Sequence, residues 1–330
     1  MTRRFAALAV LFGASFLTPA AAQDLRIGWQ QIVEPSRVAQ ATGAYEAETG
    51  AEVSWSLFGA GADVIAALAS GSVDVAYIGS SPITVAASRE LPIEVIYVVG
   101  NIASAEALAA RDVAEPKDLA GKTIATPFAS TAHYSLLTAL GHWGLKPSDL
   151  RLVNLRPQEI AAAWERGDIQ GAYVWDPVLS QIKGSGGKVL ADSADVAGWG
   201  GPTFDGWVVR KEYAAAHPEI VAGFVRATGA ATDAYLADPE AWSAESEQVK
   251  AIAELTGASP EEIPALLKGY EFVGLKDQAG EAFLGGGTAK AVADTAAFLV
   301  EQGSFPSALA DYAPYVNAAY ARQAAQADQN

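Results

Sequence analysis

Apolar and polar positions change rhythm repeatedly along this chain, and each change marks an element. Residues 25–29 carry a short apolar run and 53–57 an alternating one, both of which read as strands. Between them, Glu34 and Pro35 open a helical run through Val38, Ala39 and Tyr45 that closes near Gly50. Gly59 and Gly61 mark a turn before a helix over 63–69, Gly71 ends that helix, and 73–78 reads as the next strand. Strands follow at 93–99, 105–110, 122–125, 152–155, 172–175 and 206–210. From Tyr213 onward the pattern is nearly all helical, over 220–236, 246–255, 261–267 and 288–301, with a tail beyond Pro306. Strands alternating with helices predict an α/β architecture with largely parallel sheets.

One segment of this pattern occurs twice. Residues 65–82 read IAALASGSVDVAYIGSSP, and residues 160–177 read IAAAWERGDIQGAYVWDP. Each copy runs from a helix through a terminal Gly into a short apolar strand, then through a loop into a helix with Pro in its first turn. The repeat predicts two lobes on one plan, each a mostly parallel sheet flanked by helices. Their strand ends and helix N-termini then face each other across a cleft, an arrangement of free N–H groups that suits an anion. The chain changes lobe after 93–99. It crosses at 105–110 and returns at 206–210, so the first lobe comprises 23–104 and 211–330 and the second comprises 105–210. Two crossing strands of this kind can act as a hinge.

Composition narrows the partners. Residues 1–22 have Arg3 and Arg4, an apolar run over 5–17 and a small-residue site at Ala20–Ala22, which together read as a secretory signal peptide. The chain has no cysteine, so neither disulfides nor thiolate chemistry are available to it. The formal net charge is −16, and loss of Arg3 and Arg4 makes the mature chain −18. Nucleic acid and anionic membranes are therefore poor partners. No metal-ligand spacing, Walker loop or G-x-S-x-G elbow occurs, and nothing implies a cofactor.

Four places could carry binding chemistry. Ser80 and Ser81, before Pro82, offer hydroxyls beside a helix start, and Ser81 also reads as a plain cap. Ser130 and Thr131 repeat that arrangement in the second lobe, with His133 one turn in as a neutral donor. Trp175 can wall the cleft, while Asp176 before Pro177 reads first as a helix cap. Gln30, Glu34 and Asp205 lie at the cleft and hinge, where a carboxylate would attract a cation. No motif joins Ser, His and Asp as a triad, which leaves a secreted hydrolase as the weaker alternative.

The chain resembles the periplasmic solute-binding family that serves ABC importers of taurine, alkanesulfonates and nitrate. The resemblance rests on Glu34-Pro35 with Val38-Ala39-Gln40, Gly79-Ser80-Ser81-Pro82, and Ser130-Thr131-Ala132-His133-Tyr134. It rests equally on Arg166-Gly167-Asp168-Ile169, Ala172-Tyr173-Val174-Trp175 and Trp207-Val208-Val209-Arg210-Lys211, and it spans nearly all of the mature chain. It implies a two-lobed periplasmic-binding-protein fold of type II. It also implies a monomer that captures taurine and delivers it to a permease in the inner membrane, with no catalysis. On that resemblance Ser80, Ser81, Ser130, Thr131 and His133 hold the sulfonate, Glu34 and Asp205 hold the ammonium, Gln30 is a polar neighbour and Trp175 covers the link. Asp176 departs from the small neutral residue usual in the family, which leaves another sulfonate or small oxyanion as the alternative ligand.

Overall fold

The computed structural model describes residues 24–303 and 306–327, so the expected signal peptide lies outside them. Two sheets form the scaffold. The first runs in the order β11 (Tyr270–Phe272), β4 (Ile93–Ile102), β10 (Phe204–Arg210), β3 (Val75–Gly79), β1 (Asp24–Trp29), β2 (Glu52–Leu57). The second runs β7 (Arg151–Asn154), β6 (Thr123–Thr126), β8 (Gly171–Trp175), β5 (Glu106–Ala110), β9 (Lys188–Asp192).

The two orders superpose. Reading β4-β10-β3-β1-β2 against β9-β5-β8-β6-β7 gives the same arrangement in each lobe. In both, the crossing strand enters antiparallel between strands that otherwise run one way: β10 against β3 and β4, β5 against β8 and β9. The repeated sequence supplies β3 and β8, which occupy the same slot. Both copies end the preceding helix on a glycine with positive φ, Gly71 at 70° and Gly167 at 78°, where a side chain would be strained.

β3 and β8 are buried along their whole length and therefore read as continuous apolar runs rather than alternating ones. β2 keeps one face toward solvent and alternates. Two strands depart from the sequence expectation: β9, in a stretch given no element, and β11, inside the stretch that reads as helical. Three residues between helices carry too little periodicity to signal a strand, and β11 exists because it pairs with the edge of β4. Among the described residues, no helix is long and apolar enough to cross a membrane.

Candidate functional site

The crossing strands β5 and β10 bring two carboxylates to one pocket between the lobes. Its free volume is about 20 Å³, so it is narrow. The first lobe lines it with Gln30, Gly61, Gly79, Asp205 and Tyr270, and the second with Glu106, Ser130, Thr131 and Trp175. Asp205 falls in the first lobe, not in the second as the division at 210 would have it, because β10 pairs with β3 and β4. Three helices begin on this wall. Gly61 is the first residue of Gly61–Ser70, Gly79 is the N-cap of Ser80–Ser88, and Ser130 is the N-cap of Thr131–His142. First-turn N–H groups have no partner within their helix, and the helix dipole makes this end positive. Among the described residues, no Lys or Arg lines the pocket.

Asp205 lies opposite Gly79 in the β10–β3 register, and Glu106 lies opposite Trp175 in the β5–β8 register. Asp205 Oδ2 accepts from the hydroxyls of Tyr77 (2.9 Å) and Tyr270 (3.1 Å). Glu106 Oε2 accepts from Thr131 Oγ1 (2.6 Å), and Oε1 accepts from Ser193 Oγ (2.9 Å). Tyr173 reaches Ser193 in turn, its hydroxyl 3.2 Å from Ser193 Oγ. Tyr77 and Tyr173 hold the same place in the two copies of the repeat, so each lobe supports its acid with the equivalent tyrosine, directly in one lobe and through Ser193 in the other.

Both acids are fully buried, and burial penalises their charge. It pushes Glu106 up to about 7, against the hydrogen bonds of Thr131 and Ser193 and with a further push from the charge on Asp205. It pushes Asp205 up to about 6, against the two phenols and with a smaller push from Glu34. Burial also raises the Tyr77 and Tyr270 phenols well above their ordinary value, so both remain protonated donors. The wall thus offers two carboxylates whose charge lacks a cation, beside three positive helix ends. That is the complement of a small zwitterion.

The lobes are in contact around this pocket. Arg156 of the second lobe forks onto Asp63 of the first, with Nε 3.1 Å from Oδ2 and Nη2 3.0 Å from Oδ1. Gln158 Nε2 donates to Gln31 Oε1 at 2.9 Å beside it. Arg156 is half exposed, so solvent screens this rim pair and it contributes little to closure. Arg156→Ala is therefore expected to weaken ligand binding about two- to fivefold, measured by calorimetry, with the loss shrinking at high salt.

Close approach at the floor matters more. A Cβ on Gly79 would stand 2.7 Å from Thr131 Cγ2 and 3.1 Å from Asp205 Oδ1. Gly79→Ala is expected to hold the lobes apart. It should lower affinity at least tenfold and leave the ligand-bound protein larger in small-angle scattering than wild type. Unchanged affinity would show that the floor does not have to meet.

Five of the residues singled out from sequence line the pocket: Gln30, Ser130, Thr131, Trp175 and Asp205. The other five are placed elsewhere. Glu34 is fully buried off the pocket wall. Its Oε2 accepts from the Ser36 N–H (2.7 Å), while Oε1 accepts from Ser36 Oγ (2.6 Å) and pairs with Arg37 at 2.7 Å. It is already satisfied, so the expectation that it holds an ammonium gives way to an internal ion pair. Ser80 Oγ accepts from the Phe204 N–H at 3.3 Å, which ties its helix to β10. Ser81 and His133 face a neighbouring groove with Phe128 and Arg89. There His133 stacks on Phe128, and burial lowers it to about 4, which keeps it neutral. Asp176 accepts from Ser180 N–H and Oγ at 2.9 and 2.7 Å from the position before the N-cap, which is Pro177 and not Asp176 as expected, and it lines an adjoining groove with Gln30 and Trp175.

Even the pocket hydroxyls have prior partners. Ser130 Oγ donates to the Pro127 carbonyl and accepts from the His133 N–H, and Thr131 Oγ1 is spent on Glu106. Sequence reasoning missed Glu106 and Tyr270. The signal for Glu106 was a lone acid opening an otherwise apolar crossing strand, EALAA. Tyr270 carried no signal, because β11 was not foreseen.

The family model described as NMT1/THI5 like matches residues 34–242. The chain is 44% identical over 302 residues to the taurine-binding periplasmic protein of Escherichia coli (strain K12), covering 91% of this chain and 93% of that one. Among solved structures, it is similar to the alkanesulfonate-binding protein of Xanthomonas axonopodis pv. citri bound to MOPS. The TM-score there is 0.76 at 25% identity, covering 91% of this chain and 100% of that one. The periplasmic aliphatic sulphonate binding protein of Escherichia coli shares the fold, with a TM-score of 0.71 at 23% identity over 90% of this chain and 98% of that one.

Proposed function

The chain belongs to the NMT1/THI5-like family, and on that premise we propose that it is a periplasmic solute-binding protein that captures taurine for an ABC importer and catalyses no reaction. The observation that carries this reading is the pair Glu106 and Asp205, one from each lobe's crossing strand, facing a pocket ringed by helix N-termini. Taurine is a short zwitterion. Its ammonium offsets the buried carboxylates, and its sulfonate takes the otherwise orphaned N–H groups of the helix starts. Trp175 lies along the short apolar link and excludes water.

Because the two acids come from different lobes, a ligand touching both binds the closed state better than the open one. That difference drives closure. Delivery to a permease then requires only that docking favour the open state. A useful affinity is micromolar or tighter, about −8 kcal/mol. In this reading Gln30, Ser130, Thr131, Trp175, Asp205 and Glu106 contact the ligand, and the protein acts as a monomer.

A second reading keeps the fold and changes the ligand to an alkanesulfonate without an amine. The names of the sulfonate-binding structures favour it. The two acids oppose it, because a sulfonate alone leaves both buried charges unpaired. Isothermal titration of the ligand-stripped protein with taurine and then ethanesulfonate separates the two. Tight taurine with much weaker ethanesulfonate supports the first reading, and equal binding supports the second.

A further inference from the structure

Arg37 is fully buried, and its guanidinium lies in a cage of three rings from adjacent strands. Its Cζ is 5.2 Å from the centroid of Trp29 on β1, 5.4 Å from Tyr77 on β3 and 5.6 Å from Trp207 on β10. Nη1 donates to Gln40 Oε1 at 2.5 Å, and Nη2 pairs with Glu34 Oε1 at 2.7 Å. Tyr77 and Trp207 also pack edge to face, with centroids 5.3 Å apart. Nothing in capture of the ligand explains the placement of a full charge here, since Arg37 does not reach the pocket. What it does reach is the ring whose hydroxyl donates to Asp205.

We propose that Arg37 is a positioning residue for the cationic end of the ligand. Its charge fixes the Tyr77 ring and strengthens the Tyr77 hydroxyl as a donor. That hydroxyl, with Tyr270, occupies Asp205 Oδ2 and leaves Oδ1 for the ammonium. A cation over a phenol ring draws electron density from it and makes the O–H a better donor. Glu34, which the sequence suggested for the ligand, is instead the counter-ion that makes a buried guanidinium tolerable. The inference rests on the taurine reading for its consequence in binding, but not for the link from Arg37 to Asp205.

The test is a cycle of Arg37→Lys, Tyr77→Phe and the double variant, read with two ligands. Lysine keeps a cation beside Glu34 but loses the planar fork and the ring contacts. Taurine affinity is expected to fall about tenfold in each single variant, the size of one buried cation–π contact or hydroxyl donor. It should fall by about the same factor in the double, since both changes cut one chain. Ethanesulfonate affinity stays at the wild-type value, which also reports an intact fold. Equal losses for both ligands, or losses that multiply in the double variant, overturn the proposal.

A ligand-free measurement separates this from the taurine reading. The Asp205 carboxyl is titrated by carbon NMR, with Tyr77, Tyr270, Glu106 and Glu34 as the groups that bear on it. Arg37→Lys is expected to move the midpoint upward, because a weaker Tyr77 donor supports the carboxylate less. An unmoved midpoint overturns the link, whichever sulfonate the protein prefers. Should Arg37→Lys not fold, Gln40→Ala loosens the guanidinium without removing it and carries the same tests with smaller effects.

Discussion

Replacing Asp205 by Asn lowers the affinity for taurine about 100-fold and leaves that for ethanesulfonate within about threefold. The size follows from removing one partner of a desolvated charge pair, about 2–5 kcal/mol where tenfold is about 1.4 kcal/mol. The selectivity follows from the position of Asp205 on the wall opposite no positive side chain, so that only an ammonium uses its charge. Asn keeps an oxygen acceptor for the Tyr77 and Tyr270 hydroxyls, so the variant should fold. Glu106→Gln is expected to act in the same direction, since Gln still accepts from Thr131 or Ser193. Calorimetry at pH 7.5 with both ligands decides the matter. If Asp205→Asn weakens both ligands equally, the carboxylate supports the fold of the cleft and the amine reading fails. If it strengthens ethanesulfonate, the buried charge was an obstacle to the plain sulfonate, which deepens the case for an amine.

Which parts of this site could be read from sequence follows from what each residue's neighbours in the chain reveal. The repeat around Gly71 and Gly167 is local, so it exposed the two-lobed plan, and β3 and β8 do occupy one slot. Asp205 was legible because it sits beside a predicted crossing strand at a predicted hinge. Glu34 sat in an equally suggestive place, but its partners are Ser36 and Arg37, two and three residues on, and a capped ion pair looks the same in sequence as a ligand contact. A helix begins near Ser80 and Ser81, but its N-cap is Gly79 and not Ser81, and which way each hydroxyl turns depends on Phe204 and on the neighbouring groove, both distant in the chain. Tyr270 comes from β11, whose pairing with β4 no local period announces. Residues placed by their own element were legible, and residues placed by long-range strand pairing were not.

In the ligand-free protein the Glu106–Asp205 pair is expected to add stability as the pH falls from 7.5 to about 5, the opposite of ordinary acid denaturation, while the buried neutral His133, lowered to about 4, takes some back below pH 6.5. Glu106 stands at about 7 when folded against 4.5 as a free side chain, and Asp205 at about 6 against 3.8. Between those limits the folded chain holds protons that the unfolded chain releases. Stability therefore falls as pH rises through the window from about 4 to 7, and it is recovered on acidification. For Glu106 alone the shift amounts to about 3 kcal/mol. The two acids interact, so their protons come off in shared steps and the pair's total is less than a simple sum. Taurine binding runs the other way. The ammonium needs the carboxylates ionised, so affinity should weaken as the pH drops below 7. Binding near pH 6 should also release protons, visible as a heat that changes with the ionisation enthalpy of the buffer. Thermal melts of wild type and the Glu106→Gln/Asp205→Asn variant between pH 5 and 7.5, with and without taurine, check both halves. The variant removes the two groups while keeping every other titrating side chain, so the difference in slope belongs to the pair. Parallel slopes would mean that the acids keep their charge in the empty cleft. The ligand would then have no buried charge to neutralise, and closure would have to draw its energy from the helix ends alone.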